Sequence, residues 1–151
     1  MLSVRVADLS DSKEIFEWRN DETTRQMSHI DNIVDWDEHR NWFSSTLKSQ
    51  SQFLLICHIE ETKQKIAAVR FDLNKNIAVI SINLSPSIRS KGWAMPCLKE
   101  AINHFTFNFS SISIIEAEIK SVNLASIKAF ESVGFTFDKE NHGIRYYNII
   151  I

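Results

Sequence analysis

The 151-residue chain has little glycine, proline or cysteine, and it has no long apolar run. With three glycines and two prolines, each of these residues is a strong candidate for a turn. Cys57 and Cys97 lie singly in apolar stretches, which favours buried thiols over a disulfide. No apolar run approaches the roughly 20 residues of a membrane span, and the first residues do not resemble a secretion signal. We therefore expect a single domain, residues 1–151, in the reducing cytoplasm and away from membranes.

The chain also has no large excess of positive or negative charge, with 17 Lys plus Arg against 19 Asp plus Glu. A protein that binds nucleic acid normally shows a basic surplus, so we expect no nucleic-acid partner. His29, His58 and His104 do not have the spacing of metal ligands, so no metal is expected. The proportion of hydrophobic residues, 44%, is typical of a folded globular domain.

The spacing of apolar residues predicts the order β-α-α-β-β-β-α-β-α-β-β, which is a mixed α/β sheet. Asp11 with Glu14, and Asp35 with Glu38, have the spacing of a capping box at the start of the first two helices. Residues 20–34 are predicted to be irregular. The predicted strands are 2–6, 53–59, 66–73, 77–84, 112–119, 135–138 and 144–151, and the predicted helices are 11–20, 35–47, 92–107 and 123–132.

The ends of the predicted strands indicate how the sheet is connected. Short polar links join the second, third and fourth strands, which predicts antiparallel hairpins. The last strand either closes the sheet or pairs across a dimer, and we expect its apolar residues to be buried. A monomer and a homodimer both remain open.

The loop at residues 84–94, Leu-Ser-Pro-Ser-Ile-Arg-Ser-Lys-Gly-Trp-Ala, joins a predicted strand to a predicted helix. Free N–H groups at the start of a helix, with Gly92 at the turn, suit a pyrophosphate. Arg89 and Lys91 add positive charge. By itself the pattern also fits an ordinary solvated helix start, and neither glycine-rich nucleotide fingerprint is present.

A second segment makes the pattern more specific. Arg89-x-x-Gly92-x-Ala94 is followed by Asn123-x-x-Ser126-x-x-x-Phe130-x-x-x-Gly134-Phe135. Together the two motifs resemble those of the GNAT superfamily of acetyl-CoA-dependent N-acetyltransferases, and the resemblance covers nearly the whole chain. It implies the GNAT fold, with its fourth and fifth strands splayed and acetyl-CoA between them as the cosubstrate. The cofactor-binding residues that it implies are Ile82, Leu84, Arg89, Ser90, Lys91, Gly92, Trp93, Ala94, Asn123, Ser126 and Phe130.

The resemblance also implies candidates for proton transfer. Glu118 occupies a place where some relatives carry a glutamate that accepts the proton of the amine; it also fits one solvated face of a strand with Glu116 and Lys120. Many relatives carry a tyrosine at the position of Phe130, and a phenyl ring cannot donate a proton. Tyr146 is the candidate acid, with Tyr147 and His142 as alternatives, although all three also fit packing or loop roles. A water could also protonate the thiolate, or the thiolate could leave unaided, since a thiol has a pKa of about 8.5.

The N-terminal half resembles one branch of that superfamily. Trp18-Arg19-Asn20 and Glu38-His39-x-x-Trp42 resemble signatures of the RimJ/RimL-like branch, and most closely those of UDP-4-amino-sugar N-acetyltransferases. The resemblance implies an acceptor pocket, although Trp18 and Trp42 also fit core positions and His39 a helix face. The residues that would line this pocket are Arg19, Asn20, Met27, His39 and Trp42.

Three functions follow from these residues. The first is acetylation of the 4-amine of a UDP-linked 4-amino-4,6-dideoxy sugar. The second keeps the chemistry and acts on a protein or peptide N-terminus. The third is a non-catalytic module that senses acyl-CoA.

Overall fold

The computed structural model describes residues 1–28 and 32–151. It contains one seven-stranded mixed sheet in the order β1-β2-β3-β4-β5-β7-β6. The strands are β1 (Leu2–Val6), β2 (Gln52–Ile59), β3 (Lys65–Asn74), β4 (Ile77–Leu84), β5 (Ile114–Lys120), β6 (Thr136–Asn141) and β7 (Ile144–Ile150). The helices are α1 (Ser12–Asn20), α2 (Glu22–Met27), α3 (Trp36–Lys48), α4 (Ala94–Asn108) and α5 (Leu124–Ser132).

The predicted element order is confirmed, with one addition. Helix α2 lies within residues 20–34, which were predicted to be irregular. Its N-cap is Asp21, whose carboxylate accepts a hydrogen bond from the Thr24 N–H at 3.1 Å, and such a cap stabilises a short helix. None of the residues of α2 is buried, so no periodic spacing of apolar residues could indicate this helix from the sequence. Asp21, Ser28 and residues 32–34 lie outside regular elements, as predicted, and residues 29–31 lie outside the described part of the chain.

The capping box predicted from Asp11 and Glu14 is wrong. A 3₁₀ turn at Leu9–Asp11 precedes α1, and Asp8 and Asp11 form the capping box of that turn. Asp11 is fully buried, and its carboxylate lies 2.7 Å from an Arg5 nitrogen and 2.8 Å from the Lys65 Nζ. Burial opposes the charge on Asp11, but the hydrogen bonds from Arg5 and Lys65 outweigh it and lower its pKa to about 2. Asp11 thus joins β1 to β3.

The two faces of the sheet are covered by different helices. Helices α4 and α5 cover one face, where the Phe71 and Phe105 rings stack at 3.9 Å. Helices α1 and α3 cover the other, where Phe43 packs with Ile56. Asp35 caps α3 by accepting from two backbone N–H groups, as predicted. Among the hydrogen bonds of the described residues, Glu38 does not return the bond that would complete the predicted capping box. Cys57 and Cys97 are buried free thiols in the first of these cores, as predicted.

Strands β4 and β5 diverge soon after they meet. They pair in parallel only at Ile77–Val79 with Ile114–Glu116, whereas β4 continues along β3 to Leu84. The Ser85 N–H donates to the Ile66 carbonyl on the β3 side. Because backbone groups alternate in direction along a strand, those of Ile82 and Leu84 face β5. The splay that the resemblance implied is confirmed, and we call the space between the two strands the β4–β5 gap.

The last strand lies inside the sheet. Strand β7 pairs with β5 on one side and with β6 on the other, so it closes the sheet within one chain. The expectation that its apolar residues are buried is wrong at the end, where Ile150 is 79% exposed and Ile151 is 44% exposed. No helix in the described ranges, 1–28 and 32–151, is long and apolar enough to cross a membrane.

We predict that removal of residues 148–151 lowers the melting temperature by more than about 5 °C. The deletion removes the pairs of Asn148, Ile149 and Ile150 with β5, and it leaves polar groups of β5 without partners. Thermal unfolding followed by circular dichroism measures the effect. Removal of Ile151 alone, which costs one backbone hydrogen bond to Ser113, is the control. An unchanged melting temperature in the longer deletion would contradict the central place of β7.

Candidate active site

The loop between β4 and α4 turns sharply before the helix begins. Ser90 and Gly92 have positive φ angles of 62° and 80°, which only glycine adopts at little cost. Helix α4 starts at Ala94, and its N-cap residue, Trp93, makes no side-chain hydrogen bond to the first turn. The free N–H groups of that turn carry the positive end of the helix dipole, and the exposed Lys91 adds charge. The loop therefore offers free N–H groups and positive charge of the kind that binds a pyrophosphate.

Arg89, also predicted for the pyrophosphate, is directed toward α2. Its guanidinium bonds the carboxylate of Asp21 and the hydroxyl of Thr24. Burial opposes the charge on Asp21, but the bond from Arg89 and the backbone N–H of Thr24 give a net lowering of the Asp21 pKa. On the other side of the β4–β5 gap, the Lys120 Nζ donates to the Gln26 carbonyl at 2.9 Å. Helix α2 thus bridges the open end of the gap.

The motif residues on α5 have clear structural roles. The Asn123 side chain caps the helix by accepting from the Ser126 N–H at 3.2 Å, and Ser126 is half-buried. Phe130 is buried and meets Phe135 edge to face, with ring centroids 5.0 Å apart. Gly134 ends this segment with a φ of 107°. The side chain of Phe130 fills the core and supplies no proton donor.

The structure brings the two predicted catalytic residues together. Glu118 on β5 is directly opposite Tyr146 on β7, so both side chains lie on the same face of the sheet. The neighbouring Ala117 and Tyr147 are buried on the face covered by α4 and α5. Glu118 and Tyr146 therefore lie on the face covered by α1 and α3, beside the β4–β5 gap. We call this the acceptor face.

His39 does not line an open pocket. It is fully buried, and its Nε2 lies 2.9 Å from the Ser12 carbonyl while its Nδ1 lies 2.9 Å from an Arg19 nitrogen. Burial, reinforced by the charge of Arg19, lowers its pKa to about 4. The neutral ring therefore donates from Nε2 and accepts at Nδ1, so His39 positions Arg19.

Asn20 is also held by the protein. Its amide donates to the Val34 carbonyl at 2.8 Å and accepts from the Val34 N–H at 2.7 Å. Trp18 is buried in the core under α1 and α3. The lining role expected for His39 is thus wrong, because its ring is fully buried. The role expected for the half-buried Asn20 stays a prediction, although Val34 already bonds its amide. Arg19, Met27 and Trp42 remain half-buried.

The sequence analysis missed Arg70 and Asp21. The guanidinium carbons of Arg19 and Arg70 lie 4.5 Å and 5.6 Å from the centre of the Trp42 ring, which is cation–π distance. Arg70 is a positive charge between the buried Val69 and Phe71 of strand β3, and that was the available signal. Within the described residues no three potential metal ligands cluster; His29 lies outside that range.

The β4–β5 gap, the uncapped start of α4 and the acceptor face together define a protein of the acetyl-transfer class. The sequence model of the acetyltransferase (GNAT) domain matches residues 2–136. The chain belongs to this family, and it is an acetyl-CoA-dependent N-acetyltransferase.

Solved structures agree with this fold. Spermidine N-acetyltransferase from Vibrio cholerae, bound to CoA and spermine, is 16% identical with a TM-score of 0.87, covering 99% of this chain and 95% of its own. A domain from Methanocaldococcus jannaschii is 20% identical with a TM-score of 0.85, covering 100% and 99%. RimL, an acetyltransferase of ribosomal L7/L12, in complex with coenzyme A, is 15% identical with a TM-score of 0.83, covering 99% and 94%. No curated protein matches the sequence.

We predict that Gly92→Ala raises the Kd of CoA about 5- to 10-fold, because the positive φ of Gly92 costs a residue with a Cβ roughly 1 kcal/mol or more. Gly143→Ala is a matched control. Both glycines have φ near 80°, and an added Cβ would meet no atom within 4 Å at either position. Both variants should therefore lose similar stability, whereas only the first should bind CoA more weakly. Calorimetric titration of both variants with CoA measures the two Kd values. Equal values would contradict a role of this loop in cofactor binding.

We also predict a pH dependence of stability from His39. Its pKa is about 4 in the folded protein against 6.5 for an ordinary histidine, so the unfolded chain binds more protons between these values. Stability is then complete above pH 6.5 and falls as the pH drops toward 4, by on the order of 3 kcal/mol. The contribution of Asp11, whose pKa is about 2, is lost only below about pH 4.

Urea unfolding between pH 4 and 7 measures this dependence. His39→Gln should flatten the slope in that window even though it lowers stability overall. His142→Asn, which changes an exposed turn with φ of 52°, should keep the wild-type slope. A wild-type slope in the His39 variant would refute the neutral buried ring.

Proposed function

We propose that the protein transfers the acetyl group of acetyl-CoA to the 4-amine of a UDP-linked 4-amino-4,6-dideoxy sugar. The observation that carries the chemistry is the pair Glu118 and Tyr146 on the acceptor face, beside a gap bordered by the free backbone groups of β4. The sugar acceptor is supported by the resemblance of Trp18-Arg19-Asn20 and Glu38-His39-x-x-Trp42 to the enzymes that act on such sugars.

The backbone of β4 binds and activates the thioester in this proposal. The groups of Ile82 and Leu84 that face the gap pair with the pantetheine arm in the manner of a strand. A backbone N–H fixed near the thioester carbonyl stabilises the negative charge that grows on its oxygen during attack. The N–H groups of residues 89–94 hold the pyrophosphate, so the reacting carbon is kept beside the acceptor face.

Glu118 and Tyr146 carry the protons. The attacking nitrogen forms a bond to the acetyl carbon while the carbon–sulfur bond breaks, and the nitrogen loses one proton. Glu118 accepts that proton, directly or through water, and the Tyr146 hydroxyl donates one to the departing thiolate. Phe130 cannot donate the proton that the thiolate needs, because its side chain has no hydroxyl group.

A protein or peptide N-terminus is the second candidate acceptor. The fold similarity to RimL, an acetyltransferase of ribosomal L7/L12, and the position of Glu118 beside the gap favour it. An α-amino group has a pKa near 8, so a modest base such as a carboxylate is enough to deprotonate it. The sensor function expected from Phe130 predicts CoA binding without turnover.

We predict thiol release from acetyl-CoA with the UDP-4-amino-4,6-dideoxy sugar and not with a short peptide that has a free N-terminus. Calorimetric titration with CoA runs in parallel. Turnover with the peptide alone would move the acceptor to protein N-termini. CoA binding without thiol release from either acceptor would contradict the proposal and favour the sensor function.

The role of Glu118 has a matched control within the same strand. Glu116 lies two residues away on the same face and is also exposed. Glu118→Gln should lower kcat about 100-fold, the usual contribution of a general base, and Glu116→Gln should leave kcat within about two-fold. Equal effects would show that the two carboxylates act only through their charge.

A further inference from the structure

We propose that Arg19, Trp42 and Arg70 form an oxyanion-binding subsite, which selects amine acceptors that also carry a phosphate or carboxylate group. We call these three residues the arginine–tryptophan subsite. The inference rests on the proposed function and deepens it, because it names the part of the molecule that recognises the acceptor's negative charge.

The subsite is built from three elements. Arg19 comes from α1, Trp42 from α3 and Arg70 from β3, and both guanidinium groups lie within 6 Å of the Trp42 ring centre. His39 holds Arg19 from behind through its neutral Nδ1, 2.9 Å away. All three members of the subsite are half-buried. The guanidinium groups are therefore oriented by their neighbours before any ligand arrives.

Carboxylates neutralise the subsite only in part, since the charge of Glu38 acts on Arg19 from beyond ion-pair distance. Across residues 1–28 and 32–151, Arg19 has no carboxylate partner within ion-pair distance, and its hydrogen bond goes to a neutral ring. Arg70 lies 3.1 Å from Asp72, yet its Nε has no hydrogen-bond acceptor in good geometry. Asp72 also accepts a hydrogen bond from Gln52. An oxyanion would instead bind the terminal N–H groups of the two arginines, since guanidinium groups bind phosphate and carboxylate through paired N–H groups.

The register places the subsite in line with the reacting groups. Arg70 is opposite Ser81 across β3 and β4. Val79 is level with Glu116 at the last pair between β4 and β5, and Ser81 and Glu118 each lie two residues beyond that pair, with side chains on the acceptor face. At about 4.8 Å between neighbouring strands, Arg70 lies at least roughly 10 Å from Glu118 across the sheet. The acceptor face thus has a cationic end at Arg70 and a carboxylate at the gap.

This arrangement matches an acceptor with two unlike ends. The amine lies at the gap beside Glu118, and the oxyanion lies at least roughly 10 Å away on the arginine–tryptophan subsite. A diphosphate linked to an aminosugar has this form, and so does an amine that bears a distant carboxylate. An acceptor that carries only positive charges would meet Arg19 and Arg70 unfavourably.

Binding to the CoA-saturated protein tests the subsite, because saturation occupies the pyrophosphate loop. UDP, succinate and uridine are titrated separately by calorimetry. We expect UDP to bind and uridine to bind at least 10-fold more weakly, and we expect Arg70→Gln to weaken UDP binding at least 10-fold. Arg40→Gln is the matched control, since Arg40 is an exposed arginine on α3 that pairs with Asp37. Binding of succinate in place of UDP, lost in Arg70→Gln, would identify a carboxylate as the oxyanion.

A second variant covers the chance that Arg70→Gln does not fold. Arg70→Lys keeps the charge but loses the planar fork, and we expect it to weaken UDP binding by an intermediate factor. In turnover with the UDP-aminosugar, either variant should raise KM with kcat within about two-fold. A merely structural role would instead lower the melting temperature and kcat without a selective rise in KM.

The outcomes separate this proposal from the proposed function. UDP binding that is equal in wild type, Arg70→Gln and Arg70→Lys overturns the subsite even if the sugar is acetylated. UDP binding that is lost in the Arg70 variants supports the subsite even if the sugar is not a substrate. Equal affinity for UDP and uridine would also overturn it, because the oxyanion would then contribute nothing.

Discussion

The divergence of β4 and β5 after Val79 is the constraint on which the rest of the structure depends. Two parallel strands that stayed paired would satisfy each other's backbone groups and leave no place for a ligand. Because they separate, the Ile82 and Leu84 groups face a gap. The same divergence places the uncapped start of α4 at the gap and leaves Glu118 and Tyr146 beside it.

Ionic and polar contacts span the places where the sheet does not close. Helix α2 is bonded to Arg89 on the β4 side and to Lys120 on the β5 side, so one short helix connects the two diverging strands. The face covered by α4 and α5 is an apolar core, whereas the other face carries the exposed polar groups of β4 and β5. This division lets the first face provide stability and the second one chemistry. On the second face, the neutral His39 orients Arg19 without adding charge.

Much of the fold could be predicted, because apolar periods mark the elements that pack against a core. The second, third and fourth strands agree with their predicted ranges within one residue at each end. Helix α2 has no buried residue, so its sequence shows no periodic spacing of apolar residues. Asp11 has the spacing of a helix cap, but Arg5 and Lys65, which are distant in sequence, determine its actual partners. Local patterns could not show contacts made by long-range pairing.

The sequence by itself determined the family, the order of the elements and the loop before α4, since these depend on local spacing and on two motifs. Only the tertiary structure decided which polar residues are used internally. His39 and Asn20 resembled ligand-binding residues, yet they bond Ser12, Arg19 and Val34. Arg70 had no motif, and it became significant because strand register and helix packing bring it beside Trp42. The physical reason is that burial and partnership are properties of the folded chain, and no local pattern encodes them.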